Sequence, residues 1–366
     1  FGKLHIISGE YPYRKMKGVI PLKEELGKLT EQVVRSGQAV LSGLKSETDK
    51  LIDEAVSLTD DKKKRVWSGC NTIRLAQAPK TVAPGCIVLE GGSFRGCYTS
   101  GVLDVLMENG VNLQTTIGTS AGALNGYNYV AGEIGRAAKI NLGYRHDKRY
   151  IGPVSLAKNR GVVGFDFLLQ EIEDEIPFNR ERYEDPSRRF LVTVTNCETG
   201  QCVYCEKGVT PDFQKAVQAS ASMPFAAEMV EVDGMSCLDG GCAVKIPYRW
   251  AMDNGFQKIL VIRTRPQYFR RPPESKRFKD LTERFYRNYP NLVEKLNTQA
   301  LQYNTACDEL EALQEQGRLM MLCPSGSISI STLEGDMEKL GALYLLGRCD
   351  ATIALPKIKE YLGMEA

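Results

Sequence analysis

Histidine is almost missing from this chain: two in 366 residues, His5 and His146. A nucleophile activated by imidazole, or a metal held by several of them, has little to draw on. Long apolar runs are missing too. None approaches the ~20 residues that cross a bilayer, and KILVI at 258–262 is strand-sized. No secretory leader is read in it. An excess of one charge is missing: 47 Lys and Arg stand against 45 Asp and Glu, a net of +2. No global field selects nucleic acid, and no nucleic-acid partner is expected. The even cysteine count of a short disulfide framework is missing as well. The 11 cysteines are scattered over a long chain and read as reduced, mostly buried thiols in the cytoplasm. Cys202 and Cys205 form CVYC, with Cys197 upstream. No second pair completes four ligands, so the expectation is strand cysteines and no metal.

What is present falls into three zones: an N-terminal helical extension and linker (1–85), an α/β domain (86–266) and a C-terminal, mainly helical extension with one strand (267–366). In the first, Leu22, Leu26, Leu29, Val33, Val40, Leu44 and Leu51 recur at three, four and seven, a helical stripe. DDKKKR at 60–65 reads as a solvated boundary and APKTVAPG at 78–85 as a linker. The second zone alternates β-type runs (CIVLE, TTIG, RFLVTVT, KILVIRT) with helical stretches at 96–110 and 120–140. That rhythm predicts a mainly parallel sheet covered by helices, with the site at the C-terminal strand ends. The third opens on YFRRPPESKRFKDLTERFYRN, in which Phe278, Leu281 and Phe285 share a helical face. A solvated amphipathic helix is one reading. A surface for phospholipid headgroups, built on Arg270, Arg271, Lys276 and Arg277 beside Phe269 and Phe278, is the other. RLMMLCPS at 318–325 predicts a strand, and 336–362 closing helices.

Three motifs carry chemistry. EGGSFRG at 90–96 follows CIVL. Glycines at a strand-to-helix turn let backbone N–H groups approach a charged ligand. A phosphate loop needs a Lys-Ser/Thr pair, which does not follow. A dinucleotide fingerprint needs Gly where Ser93 stands, and an acidic residue ending the next strand. An oxyanion hole remains. GTSAG at 118–122 places Ser120 between Gly118 and Gly122, after a β run and before an Ala-rich helix, the setting of a nucleophile elbow. No histidine follows His146, so the histidine of an α/β-hydrolase triad has no candidate. His146 itself, in GYRHDKR, reads as a solvated histidine. A carboxylate base is the alternative, and Asp239 in LDGG, before Gly240 and Gly241, is the best placed. A plain turn is the other reading of DGG.

Together and in this order, EGGSFRG, GTSAG and LDGG resemble the patatin-like phospholipase family, in a bacterial subgroup with an EGGxxRG loop. QASASMPF at 218–225 is similar to a Ser- and Pro-containing stretch of bacterial members. The resemblance covers 86–266 and implies a three-layer α/β/α fold with a mainly parallel sheet. It further implies a serine lipid acyl hydrolase, phospholipase A- or lysophospholipase-like, that needs no cofactor. Ser120 attacks, Asp239 takes its proton, and N–H groups of Gly92 and Ser93, helped by Gly91, hold the oxyanion. Arg95, before Gly96, orients the loop or attracts a phosphate headgroup. The implied partner is a phospholipid or other acyl-ester lipid, met by a cytoplasmic protein with peripheral contact to the membrane. Two departures stand out. Glu90 replaces the family's leading Asp, a change expected to matter little, and Ser93 replaces a Gly. A catalytically silent lipid-binding or scaffold protein, with Ser93 as the lesion, is the alternative.

Overall fold

The computed structural model describes residues 65–365. The helical stripe at 22–51 and all but the last residue of the 60–65 charge run lie outside the described residues.

The strands are β1 (Ala76–Gln77), β2 (Ala83–Leu89), β3 (Leu113–Gly118), β4 (Glu133–Ile134), β5 (Arg189–Asn196), β6 (Cys202–Glu206), β7 (Val230–Val232), β8 (Met235–Asp239), β9 (Ile259–Ile262) and β10 (Met320–Leu322). β1 and β4 form a small antiparallel pair. The other eight make one sheet in the order β10-β9-β2-β3-β5-β8-β7, with β6 also on β5. β10, β9, β2, β3 and β5 run parallel, while β6, β7 and β8 pair antiparallel.

Between them lie α1 (Gly96–Glu108), α2 (Ala121–Val130), α3 (Arg136–Tyr144), α4 (Pro153–Asn159), α5 (Phe165–Leu169), α6 (Arg180–Glu184), α7 (Phe213–Ser220) and α8 (Tyr248–Asp253). After the last of these come α9 (Lys276–Phe285), α10 (Pro290–Asn297), α11 (Gln299–Glu315) and α12 (Met337–Leu362).

Alternation along the strands sets the layers, because successive side chains point to opposite faces. Cys86 and Val88 of β2, with Ile259 and Val261 of β9, enter a core with Tyr248 and Ala251 of α8 and Tyr303, Cys307 and Leu310 of α11. Ile87, Leu89, Leu260 and Ile262 enter the opposite core, with residues of α1, α2 and α12. Both faces are covered, as parallel strands require. The fold is α/β/α with a mainly parallel sheet.

Several expectations need correction. The helix expected over 120–140 is two, α2 and α3, with β4 between. Gly132 and Gly135 hold φ of 70° and 78°, and a Cβ at Gly135 would sit 2.4 Å from the Arg74 carbonyl oxygen. The stretch read as a linker ends inside β2, which starts at Ala83 and shifts register before Cys86. Residues 336–362 hold a single helix, α12, with Pro356 inside it. The sheet runs across the boundary expected at 266, since β10 pairs with β9. GYRHDKR is not a solvated stretch: Arg145 is fully buried, and His146 Nε2 hydrogen-bonds the Gly335 carbonyl at 2.8 Å. All 11 cysteines are free, eight of them buried.

Candidate active site

The sheet brings two remote residues together by a simple device. β3 pairs with β5 over Arg189–Val192, and β8 pairs with it over Val194–Asn196. β6 pairs with β5 across both stretches, so β3 and β8 share the opposite edge of β5. β3 is parallel and β8 antiparallel, so their C-terminal ends meet head-on. Gly118 ends one and Asp239 the other. Thr193, between the two pairing stretches, ties the junction: its Oγ1 lies 2.7 Å from Thr119 Oγ1. Thr195 Oγ1 donates to the Asp239 carbonyl at 2.9 Å. A Cβ at Gly240 would lie 2.1 Å from Thr193 Oγ1 and 2.3 Å from its carbonyl, so only glycine fits there.

Across this junction Ser120 Oγ donates to Asp239 Oδ2 at 2.6 Å. Ser120 is 7% exposed and Asp239 6%. Ser120 has φ 55° and ψ −122°, a region costly for any residue with a Cβ and found where the surroundings over-determine it. Those surroundings are the two elbow glycines. A Cβ at Gly118 would meet Gly122 at 2.5 Å, and one at Gly122 would meet the Leu89 carbonyl at 2.3 Å. Gly241 donates its N–H to Asp239 Oδ1 at 2.7 Å. Burial pushes the Asp239 carboxyl up, while the nearby Lys245 charge, the Ser120 hydroxyl and the Gly241 N–H hold it down.

QASASMPF braces all three motifs. Ser220 Oγ accepts from the Ser120 N–H at 3.0 Å. The Ser222 carbonyl accepts from the Asp239 N–H at 2.8 Å. Ser93 Oγ donates to Met223 Sδ at 3.3 Å.

The glycine loop lies beside the serine. A Cβ at Gly91 would approach Ser120 Cβ to 3.2 Å, and one at Gly96 would approach Ala121 Cβ to 3.0 Å. The Gly91 N–H donates to the Lys245 carbonyl at 3.1 Å. It is therefore not available to an oxyanion, and that expectation is corrected. The N–H groups of Gly92 and Ser93 have no protein acceptor among the described residues. Ser93 holds φ 49°, a strained position for a residue with a Cβ. Glu90 matters more than expected: it is 1% exposed, accepts from the Thr264 N–H and from the Tyr303 hydroxyl, and lies 3.9 Å from Arg263. It moors the loop to β9 and to α11. Arg95 Nε is buried without a partner among the described residues. Burial and the nearby Arg265 charge push this guanidinium down to about 10.

A cavity of about 80 Å³ opens beside Ser120, walled by Ser93, Leu124, Ile140, Val163, Leu168 and Met223 among others. No group of His, Cys, Asp and Glu able to hold a metal occurs among the described residues. No helix among them is long and apolar enough to cross a membrane.

Residues 87–252 match the family model described as patatin-like phospholipase. These residues form a patatin-like phospholipase domain. The patatin-like region is followed by a match to a domain of unknown function (DUF6363) over 289–363, which includes Tyr303 and α12. The uncharacterized protein YjjU of Escherichia coli is 30% identical over 205 residues, 51% of this chain and 56% of that protein. The uncharacterized NTE family protein Rv1063c of Mycobacterium tuberculosis is 27% identical over 164 residues, 44% of this chain and 43% of that one. The chain thus spans about half the length of the curated relatives it matches. The crystal structure of VipD from Legionella pneumophila aligns with a TM-score of 0.39 and 13% identity, covering 84% of this chain and 73% of that one.

Sequence reasoning missed Thr193, Lys245, Thr264 and Tyr303. Two threonines inside the buried strand RFLVTVT were a usable signal for Thr193. Nothing local marks Tyr303, which arrives from a distant helix.

Proposed function

We propose that this chain is a serine lipid acyl hydrolase, phospholipase A- or lysophospholipase-like, working through a Ser120–Asp239 dyad. The observation that carries the reading is the 2.6 Å hydrogen bond from Ser120 to the buried Asp239 carboxylate at a strained elbow. Asp239 accepts the Ser120 proton as Oγ attacks the ester carbonyl. The carbonyl oxygen becomes an oxyanion facing the N–H groups of Gly92 and Ser93. The proton passes from Asp239 to the departing alkoxide, leaving an acyl-serine. Water, deprotonated by the same carboxylate, then attacks the acyl carbon; the bond to Ser120 Oγ breaks, the fatty acid leaves, and Asp239 returns the proton to Oγ. Burial keeps the carboxyl pushed up, and a stronger base suits a nucleophile that lacks imidazole. The acyl chain starts in the apolar cavity beside Ser120. A lipid surface supplies the substrate through peripheral contact.

The basic cluster anticipated at 270–277 does not support one outward membrane patch. Arg270 is paired with Asp308 and Glu311, Phe278 packs on Phe225, and Phe269 packs on Tyr303.

Turnover of a p-nitrophenyl ester by wild type, Ser120→Ala, Asp239→Asn and the double variant tests the dyad. Each single variant is expected to lose at least roughly 10³-fold, and the double variant to be little worse, because the pair acts as a unit. A folded Asp239→Asn enzyme with near-normal turnover would remove Asp239 as the base. A wild type that turns over no ester favours the silent lipid-binding alternative.

A further inference from the structure

Four cations gather at the mouth of this site, close enough for their charges to act on one another, and none is in an ion pair among the described residues. Arg95 sits at the end of the glycine loop, and a Cβ at Gly92 would touch both Arg95 Cβ at 3.3 Å and Thr264 Oγ1 at 2.7 Å. Arg265, next in the chain after Thr264, stacks on Phe269 at 4.4 Å. Lys245 is fastened to the loop through its carbonyl and the Gly91 N–H. Its Nζ lies 3.2 Å from where a Cβ would stand on Gly241, a position 2.9 Å from Asp239 Oδ1. Arg271 is held by its backbone alone, through two bonds with the Asn304 side chain at 2.8 and 3.0 Å.

None of the four makes a side-chain ion pair among the described residues, whereas their neighbours do. Arg263 has Glu90, Arg270 has Asp308 and Glu311, and Arg249 has Glu309. The acids closest to the cluster spend their hydrogen bonds elsewhere, Glu90 on Thr264 and Tyr303, Glu274 on the Ala300 N–H at 2.7 Å, and Asp239 on Ser120 and Gly241, and act on the cations only at longer range. All four cations are half-buried, and Arg95 Nε is fully enclosed and has no partner among the described residues. The mutual repulsion is felt: burial lowers the Lys245 ammonium first, and the Arg271 charge adds to it. Burial likewise lowers Arg271, with Glu274 opposing the fall and Arg265 adding to it. Gathering like charges at partial burial is costly unless an anion completes the group.

We infer that Arg95, Lys245, Arg265 and Arg271 form a phosphate-binding site beside the serine. Three planar guanidiniums and one ammonium match a tetrahedral oxyanion, which accepts several charge-assisted hydrogen bonds at once. In a glycerophospholipid the phosphate lies a few bonds from the scissile ester, so one molecule spans both subsites. That placement rests on the ester-hydrolase reading, while the affinity for phosphate does not.

The test has two arms on the full chain, using Arg265→Gln/Arg271→Gln and each single variant, neither residue being part of the dyad or the glycine loop. In the first, calorimetric titration with inorganic phosphate is expected to show binding to wild type, weakened at least about tenfold in the double variant. In the second, kcat/KM is compared for dihexanoyl phosphatidylcholine and dihexanoylglycerol. The double variant is expected to lose roughly 10–100-fold on the phospholipid and less than about twofold on the neutral lipid. Losses in both arms assign the site to the substrate headgroup. Lost phosphate binding with an unchanged lipid preference assigns it to free phosphate. Wild type that binds no phosphate and shows no lipid preference, or variants unchanged in both arms, overturn the proposal. Should the double variant melt early, the Arg271→Gln single decides on the same criteria, because its backbone bonds to Asn304 do not involve the replaced group.

Discussion

At the scale of single residues, the proposed base is governed by its distance from water and from one cation. Burial raises the Asp239 carboxyl, and Lys245 opposes that rise. A base works only when deprotonated, so activity is lost as pH falls through its pKa. The acid limb of kcat/KM is therefore expected above the ordinary carboxylate range near 3.9. Replacing Lys245 by Gln removes the opposing charge, makes ionisation harder and moves the limb to higher pH. A pH–rate profile on a neutral ester checks both statements, and a limb that stays put or moves down in the variant contradicts the second. Ser93 is read differently once its surroundings are known. Its φ of 49° is the conformation the family's glycine would take freely. Its hydroxyl is spent on Met223, and its N–H keeps the direction that glycine would give. The substitution therefore leaves a backbone donor and adds a wall to the cavity. It is not by itself a reason for silence.

At the scale of elements, β5 acts as a splint that aligns the ends of β3 and β8. Gly240→Ala would press a methyl group into the Thr193 backbone. The expected result is a loss of about 1–3 kcal/mol in stability together with a drop in turnover larger than that of a comparable core substitution. Urea unfolding and ester kinetics on the same preparation measure the two. A variant with reduced stability but wild-type kcat would show that the dyad does not depend on the splint. Legibility followed locality here. Glycine motifs and strand runs report on their own few residues, so Ser120, the glycine loop and the parallel sheet were readable. Asp239 was readable only as a candidate, because head-on pairing against β5 is a property of three strands at once. The break between α2 and α3 was hidden because Gly132 and Gly135 sit in a run of good helix formers. Tyr303 carries no pattern of its own.

At the scale of the molecule, the C-terminal region is built into the body. α12 lies against α1 through glycines: a Cβ at Gly101 would come within 2.1 Å of the Tyr344 carbonyl, and one at Gly347 within 2.1 Å of the Tyr98 carbonyl. Tyr344 also donates to the buried Asp104 at 3.0 Å, and Arg348 pairs with Glu108. Gly347→Val is expected to separate the helices, cost at least about 1–3 kcal/mol and lower the midpoint of thermal unfolding. Calorimetry reads that shift, and an unchanged midpoint would mean that α12 can move aside. α1 starts where the glycine loop ends, so the contact that holds α12 also holds the loop. Glu90 leans on the same distant region through Tyr303. This dependence sets an order of completion during synthesis. At roughly 5–20 residues per second, Ser120 leaves the ribosome some ~10–40 s before Tyr303 can reach Glu90. A nascent chain already carrying the proposed nucleophile and base is therefore still without the mooring of its glycine loop until Tyr303 has been made.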